Sequence, residues 1–227
     1  MHIAASNETM LLVIKFQLRG TLRFLSHAEM LRVVQRACVR AGINVLHSQG
    51  FNPRPKLSLP LPRPVGVESD DELLCLRIRR NTGDTDDLCS FVKAELSAQL
   101  PAGCELLSVS TVGTVKPFQP CSATYMLAVK SKYLNEKLKA TIAHLLASEN
   151  LNVRRGTGIK QSKVKNLDVR DFLKSIKMDN QGIIVECNIS SVGSIRTEEI
   201  LRLLELDEDK LALPIRRTNV KWQVDEL

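Results

Sequence analysis

Apolar and polar positions change period repeatedly along this chain, and each change marks an element. Leu11–Leu18 (LLVIKFQL) is rich in β-formers, and Lys15 and Gln17 alternate with apolar neighbours toward its end, which predicts a strand. Arg19-Gly20 breaks it. Ser26-x-x-Glu29 has the form of a capping box, and Met30, Leu31, Val34, Ala37, Cys38 and Ala41 then recur at helical spacing up to Gly42. Asn44 to His47 reads as a short strand entering a proline-rich segment. In Asp71–Arg80, Leu74, Leu76 and Ile78 alternate with Cys75, Arg77 and Arg79, predicting a strand with one wet face. Asp84, Asp86 and Asp87 suit a helix N-terminus, Leu88, Phe91, Val92, Leu96 and Leu100 mark its apolar face, and Cys104 to Val112 reads as another strand. The order is β-α-β-β-α-β, a ferredoxin-like unit.

Lys116-Pro-Phe-Gln-Pro120 is the best linker signal, and the pattern restarts after it. A strand (Ala123–Lys130), a helix (Lys132–Ser148), a basic loop (153–166) and two strands around an Asp179–Gly182 turn follow. Thr197 is read as capping a last helix, and Leu211 to Gln223 as extended chain. The expected fold is therefore α+β with two ferredoxin-like half-domains. Residues 1–10 form a flexible N-terminus, 11–115 the first half-domain, 116–121 the linker and 122–224 the second half-domain.

Ser48–Gly66 (SQGFNPRPKLSLPLPRPVG) holds five prolines, which denies ladder donors and suits a strap on a sheet edge or surface. Such a strap is pre-ordered, so Arg54, Lys56 and Arg63 are expected to be held out with little entropy left to lose on binding; the alternative is a purely structural strap that closes the first half-domain.

Composition changes this picture in two ways. Aromatics are only 4% of 227 residues, so the core is expected to be aliphatic. A formal charge of +7 tilts the partner toward polyanions. Arg32, Arg36 and Arg40 fall at i, i+4, i+8 on one face of the capped helix, with no acid at i+4 to compensate. Lys163, Lys165 and Arg170 belong to a second basic stretch, 154–170, where Gly156 and Gly158 let the backbone approach a ligand. That stretch has no aromatic platform, so electrostatic binding of a phosphate backbone fits it better than base stacking. The candidate nucleic-acid contacts are thus Arg32, Arg36, Arg40, Arg54, Lys56, Arg63, Lys163, Lys165 and Arg170.

Candidate chemistry is sparse. Ser26 beside His27 suggests a nucleophile and base, but a cap already occupies Ser26. His27 and His47 are weak candidates for a metal-free ribonuclease. The six cysteines are scattered, with no C-x-x-C pair, so no metal site is expected and the thiols read as free, buried and cytoplasmic. No apolar run reaches the ~18–20 residues of a membrane span, and no signal peptide is seen.

The runs Leu22-Arg-Phe-Leu-Ser-His27, Arg36-Ala37, Ser48-Gln-Gly-Phe-Asn-Pro53, Pro55-Lys-Leu-Ser58 and Pro62 to Ser69 resemble the bacterial "radical SAM-linked protein" family, densely over residues 11–80. In the second half the resemblance rests on Lys163-Val-Lys-Asn-Leu-Asp-Val-Arg170 and Gly193-Ser-Ile-Arg196, with Thr197 where the family usually has proline. The motif residues are Arg23, Ser26, His27, Gln49, Gly50, Phe51, Asn52, Pro53, Lys56, Asp168, Arg170 and Arg196. Members occur fused to, or encoded beside, radical SAM proteins. The C-x-x-x-C-x-x-C that holds such an enzyme's cluster is absent here. The resemblance implies a cofactor-free accessory that binds RNA (tRNA or rRNA) for a radical SAM partner. The alternative is an adaptor that docks on that partner directly.

Overall fold

The computed structural model describes residues 9–79, 85–113, 118–157 and 163–223; the side chains of 157 and 163–165 lie outside that description. Contacts divide the chain into two compact units, Met1–Gln119 and Pro120–Leu227.

The first unit contains β1 (Thr9–Leu18), α1 (His27–Arg40), β2 (Leu57–Ser58), β3 (Glu68–Arg79), α2 (Thr85–Gln99) and β4 (Cys104–Val112). Its strands lie in the order β2-β3-β1-β4. β1 is central, with Ile14 opposite Leu74 of β3 on one side and Val109 of β4 on the other. Leu11 to Ile14 are all buried, which explains why this stretch reads as an apolar run rather than an alternation. Leu12, Ile14, Phe16 and Leu18 pack with Val34, Ala37 and Cys38 of α1 and Val92 and Leu96 of α2, an aliphatic core as composition suggests. β3 differs from its expected wet-faced form, because Leu73 and Cys75 are buried along with Leu74 and Leu76.

β3 and β4 both run antiparallel to β1, so they are parallel to each other across it, and α2 connects them as one split βαβ. β2 is antiparallel to β3 and therefore runs parallel to β1 on the far side of β3, with α1 in the connection between β1 and β2. The predicted strand at 44–47 is reduced to two isolated bridges, Val45 with Ile78 and His47 with Pro55.

The second unit contains β5 (Gln119–Leu127), α3 (Glu136–Ala147), β6 (Asn152–Thr157), β7 (Lys163–Asp168), β8 (Leu173–Met178), β9 (Ile183–Ser190), β10 (Gly193–Ser194), α4 (Thr197–Leu203) and β11 (Arg216–Gln223). β5 begins inside the expected linker. β9 lies between β5 and β8, antiparallel to both, with Val185 opposite Tyr125 and Ile176. Leu138, Ile142 and Leu145 of α3 and Ile183, Val185 and Cys187 of β9 are buried.

Two expectations change here. The basic stretch 153–166 is a hairpin, paired from Asn152 opposite Asp168 to Thr157 opposite Lys163. Its alternation is hidden because Arg155, between exposed Arg154 and Gly156, takes an inward position that an apolar residue would normally mark. The last helix is capped by Arg196, not Thr197; an arginine side chain accepts no hydrogen bond, so Glu199 supplies the cap by accepting the Arg196 N–H at 2.9 Å.

All six cysteines are free, but they are not uniformly buried. Burial pushes the Cys38 and Cys75 thiols up to about 11 and those of Cys104 and Cys187 to about 12, whereas Cys121 is exposed. No helix among the described residues is long and apolar enough to cross a membrane.

Candidate nucleic-acid interface

α1 starts where the sequence places it. Glu29 N–H donates to Ser26 Oγ at 3.3 Å, while Ser26 N–H and Oγ–H donate to Glu29 Oε2 at 2.8 and 2.7 Å. Those Ser26 bonds, with a smaller contribution from the charge of Arg32, hold the Glu29 carboxyl below its ordinary range. Met30, Val34, Ala37 and Cys38 bury one face, which turns Arg32, Arg36 and Arg40 to solvent. The three are not equivalent. Arg40 donates from Nε to Gln99 Oε1 at 3.1 Å and from Nη2 to the Gln99 carbonyl at 2.7 Å, so it ties α1 to the end of α2. Arg36 has no ion pair or side-chain hydrogen bond among the described residues.

The proline-rich strap divides into two ends with opposite uses. Its first end is a closed finger. Ser48 N–H donates to the Arg54 carbonyl at 2.8 Å, and Arg54 N–H donates back to Ser48 Oγ at 2.9 Å. Gly50 takes φ 128, a conformation other residues rarely adopt, and turns the chain at the tip. Lys56 N–H then donates to the Leu46 carbonyl at 2.6 Å, and the Lys56 carbonyl accepts Arg77 N–H at 2.9 Å, anchoring the finger to β3. Gln49 to Arg54 and Lys56 are exposed, and Arg54 and Lys56 form no ion pair among the described residues. Phe51 is fully exposed, at 106% of its reference area.

At the other end of the strap, Arg63 contradicts the expectation of a cation held out for a ligand. It is 8% exposed, and its guanidinium donates to the carbonyls of Leu22, Arg23, Leu25, Pro64 and Val67. Five carbonyls converge there and one planar donor fork serves them; those of Leu22, Arg23 and Pro64 also accept a backbone N–H. Gly66 N–H also donates to the Arg23 carbonyl at 2.8 Å. Arg63 therefore closes the first unit around residues 22–25. Arg23 itself lies over the half-exposed Phe24 ring, 4.3 Å from its centroid.

Ser26, His27, Arg63 and Glu72 line a cleft of about 270 Å³, open solvent included, floored by Phe16, Leu18 and Met30. The Ser26 hydroxyl is held by Glu29 and makes no bond to His27, so the nucleophile–base pairing their adjacency suggests is not built. His47 is exposed beside the finger. Among the described residues no group of three or more His, Cys, Asp or Glu could hold a metal ion.

In the second unit, two cations of the basic motif, Arg155 and Arg170, are bound internally, whereas Arg154 is exposed and has no ion pair among the described residues. Arg155 makes a bidentate pair with Glu199, Nε to Oε1 at 2.8 Å and Nη2 to Oε2 at 2.7 Å, with Glu199 only 2% exposed. Desolvation pushes the Glu199 carboxyl up, but the Arg155 bond, the Arg196 N–H and the charges of both arginines together hold it net below its ordinary value. Arg170, another expected contact, donates to the carbonyls of Ser148, Leu173 and Leu146. Asp168 accepts N–H bonds from Leu151 and Arg170, which hold its carboxyl low. The family-motif residues Asp168, Arg170 and Arg196 are thus joints of this unit. The side chains of Lys163 and Lys165 lie outside the described residues; their backbone is on β7.

The sequence alone assigns Phe51 no role. The available signal is its setting, an aromatic between Gly50 and Asn52-Pro53 with no apolar neighbour at strand or helix spacing to pack against.

A family model described as "Uncharacterized protein conserved in bacteria (DUF2344)" matches residues 12–203, from β1 to the end of α4. The chain belongs to that bacterial family, whose description gives no reaction, cofactor or partner. No curated protein matches the chain.

Proposed function

We propose that this chain is a cytoplasmic accessory protein that binds RNA, tRNA or rRNA, through the exposed cations of its first unit and presents it to a radical SAM enzyme. One observation carries the RNA half: Arg36, Arg54 and Lys56 are exposed and lack an ion pair among the described residues, in a chain of net charge +7. Charges left without internal partners are the ones whose counterions a polyanion displaces. Arg32, exposed on the same helix face, adds to them. Support for the radical SAM partner is the resemblance of the Arg23–His27 and Gln49–Lys56 motifs.

Titration of total tRNA and rRNA fragments into the protein at low and moderate salt tests the RNA half. The expected result is a linear fall of log affinity with log salt. Flat affinity, or no binding, overturns it.

A second reading has the strap dock on the enzyme directly, favoured by the exposure of Phe51 and Val65. Co-purification that survives nuclease treatment would support it, and loss of the complex would return the partner to RNA bridging.

A further inference from the structure

A large apolar ring with no packing partner is costly to display, and the finger displays one at its tip. Phe51 is wholly exposed, while the chain beneath it is fixed by reciprocal Ser48–Arg54 bonds and by Pro53 and Pro55. A ring held out on a rigid stem has two open faces and little entropy to lose when something lies on one of them.

What the ring would accept follows from its neighbours. Gln49 and Asn52, both exposed, are amides that can donate to and accept from the edge of a base. Arg54 and Lys56 stand on the stem as exposed cations without ion pairs among the described residues. An aromatic platform with amides beside it and phosphate-binding cations behind it is the combination that reads unstacked nucleotides. Duplex RNA offers no free base face to such a ring. A protein hot spot needs a cluster of apolar anchors, and within the finger Phe51 stands among Gln49, Gly50, Asn52 and Pro53.

We infer that the Ser48–Lys56 finger is a stacking platform for a base of single-stranded RNA, with Phe51 as the ring and Arg54 and Lys56 on the flanking phosphates. This deepens the RNA reading and rests on it.

The test uses the full chain and fluorescence anisotropy with three probes: a labelled single-stranded oligoribonucleotide, its duplex, and the same strand made abasic. Wild type should bind the intact strand about tenfold more tightly than the abasic one. Phe51→Ala should bind both at the abasic level with an unchanged salt slope, and Phe51→Trp should restore the preference. If Phe51→Ala keeps the preference for bases, or wild type holds the duplex as tightly as the single strand, stacking is overturned while salt-dependent RNA binding stands. If no probe binds, the stacking inference falls together with the RNA reading. If Phe51→Ala instead loses only a protein partner that nuclease-treated wild type retains, the finger is a protein anchor and the inference is overturned.

Discussion

As sequence, the strap of the first unit resembles the β6–β7 hairpin region of the other, both basic and glycine-containing, yet the fold uses their cations differently. In the hairpin region Arg155 is locked to Glu199, and Arg170 serves three carbonyls. In the strap Arg63 is consumed in the same way, but Arg54 and Lys56, fewer than ten residues away, are left to solvent. Positive charge along a chain therefore overstates binding capacity. The relevant quantity is the charge remaining after internal acceptors are satisfied, which among the described residues includes Arg36, Arg54 and Lys56 of the first unit and Arg154 of the hairpin.

The contrast breaks most visibly at Arg63. Arg63→Ala leaves buried carbonyls without a donor and should cost about 3–4 kcal/mol of stability in urea unfolding. A loss below about 1 kcal/mol would mean that the strap's two ends are not distinct. Glu199→Gln comes next, at about 2 kcal/mol, because it strands Arg155 in a site only 19% exposed.

That variant also carries a pH signature. Glu199 is held net below its ordinary 4.5 in the fold, so its contribution is fully present above that pH and is lost as pH falls through the depressed value. The acid limb of a stability-against-pH curve should flatten in Glu199→Gln, and an unchanged limb would contradict the assignment.

Smaller again is Arg54→Ala with Lys56→Ala. It should leave stability within about 0.5 kcal/mol of wild type while reducing the salt slope of single-strand binding by about 1.4. Smallest is Arg36→Ala alone, expected to lower the slope by about 0.7 with stability unaltered. A slope unmoved by Arg36→Ala would confine the interface to the finger.

Much of the local structure is legible in the sequence. The Ser26–Glu29 box, the apolar face of α1 and the Asp179–Gly182 turn need only neighbours in the chain, and each forms as local chemistry dictates. Pairing direction is another matter. The order of elements is the same whether β1 and β3 run parallel or antiparallel, and only the register shows that they are antiparallel. The hairpin at 152–168 escaped because an arginine neutralised by Glu199, 44 residues away, stands where an inward apolar residue would have shown the period. Arg54 and Arg63 are chemically identical in sequence, and only the convergence of five distant or turning carbonyls on one of them sets their fates apart.

The most direct measurement is the salt dependence of RNA binding by three proteins: wild type, Arg54→Ala/Lys56→Ala, and Arg170→Ala, the last being a cation of the second unit already committed to carbonyls. Loss of affinity and slope in the first variant, with Arg170→Ala matching wild type, is the expected outcome. Equal losses in both, or loss in Arg170→Ala alone with its fold intact, would contradict the assignment of the interface to the cations that the fold leaves unpaired.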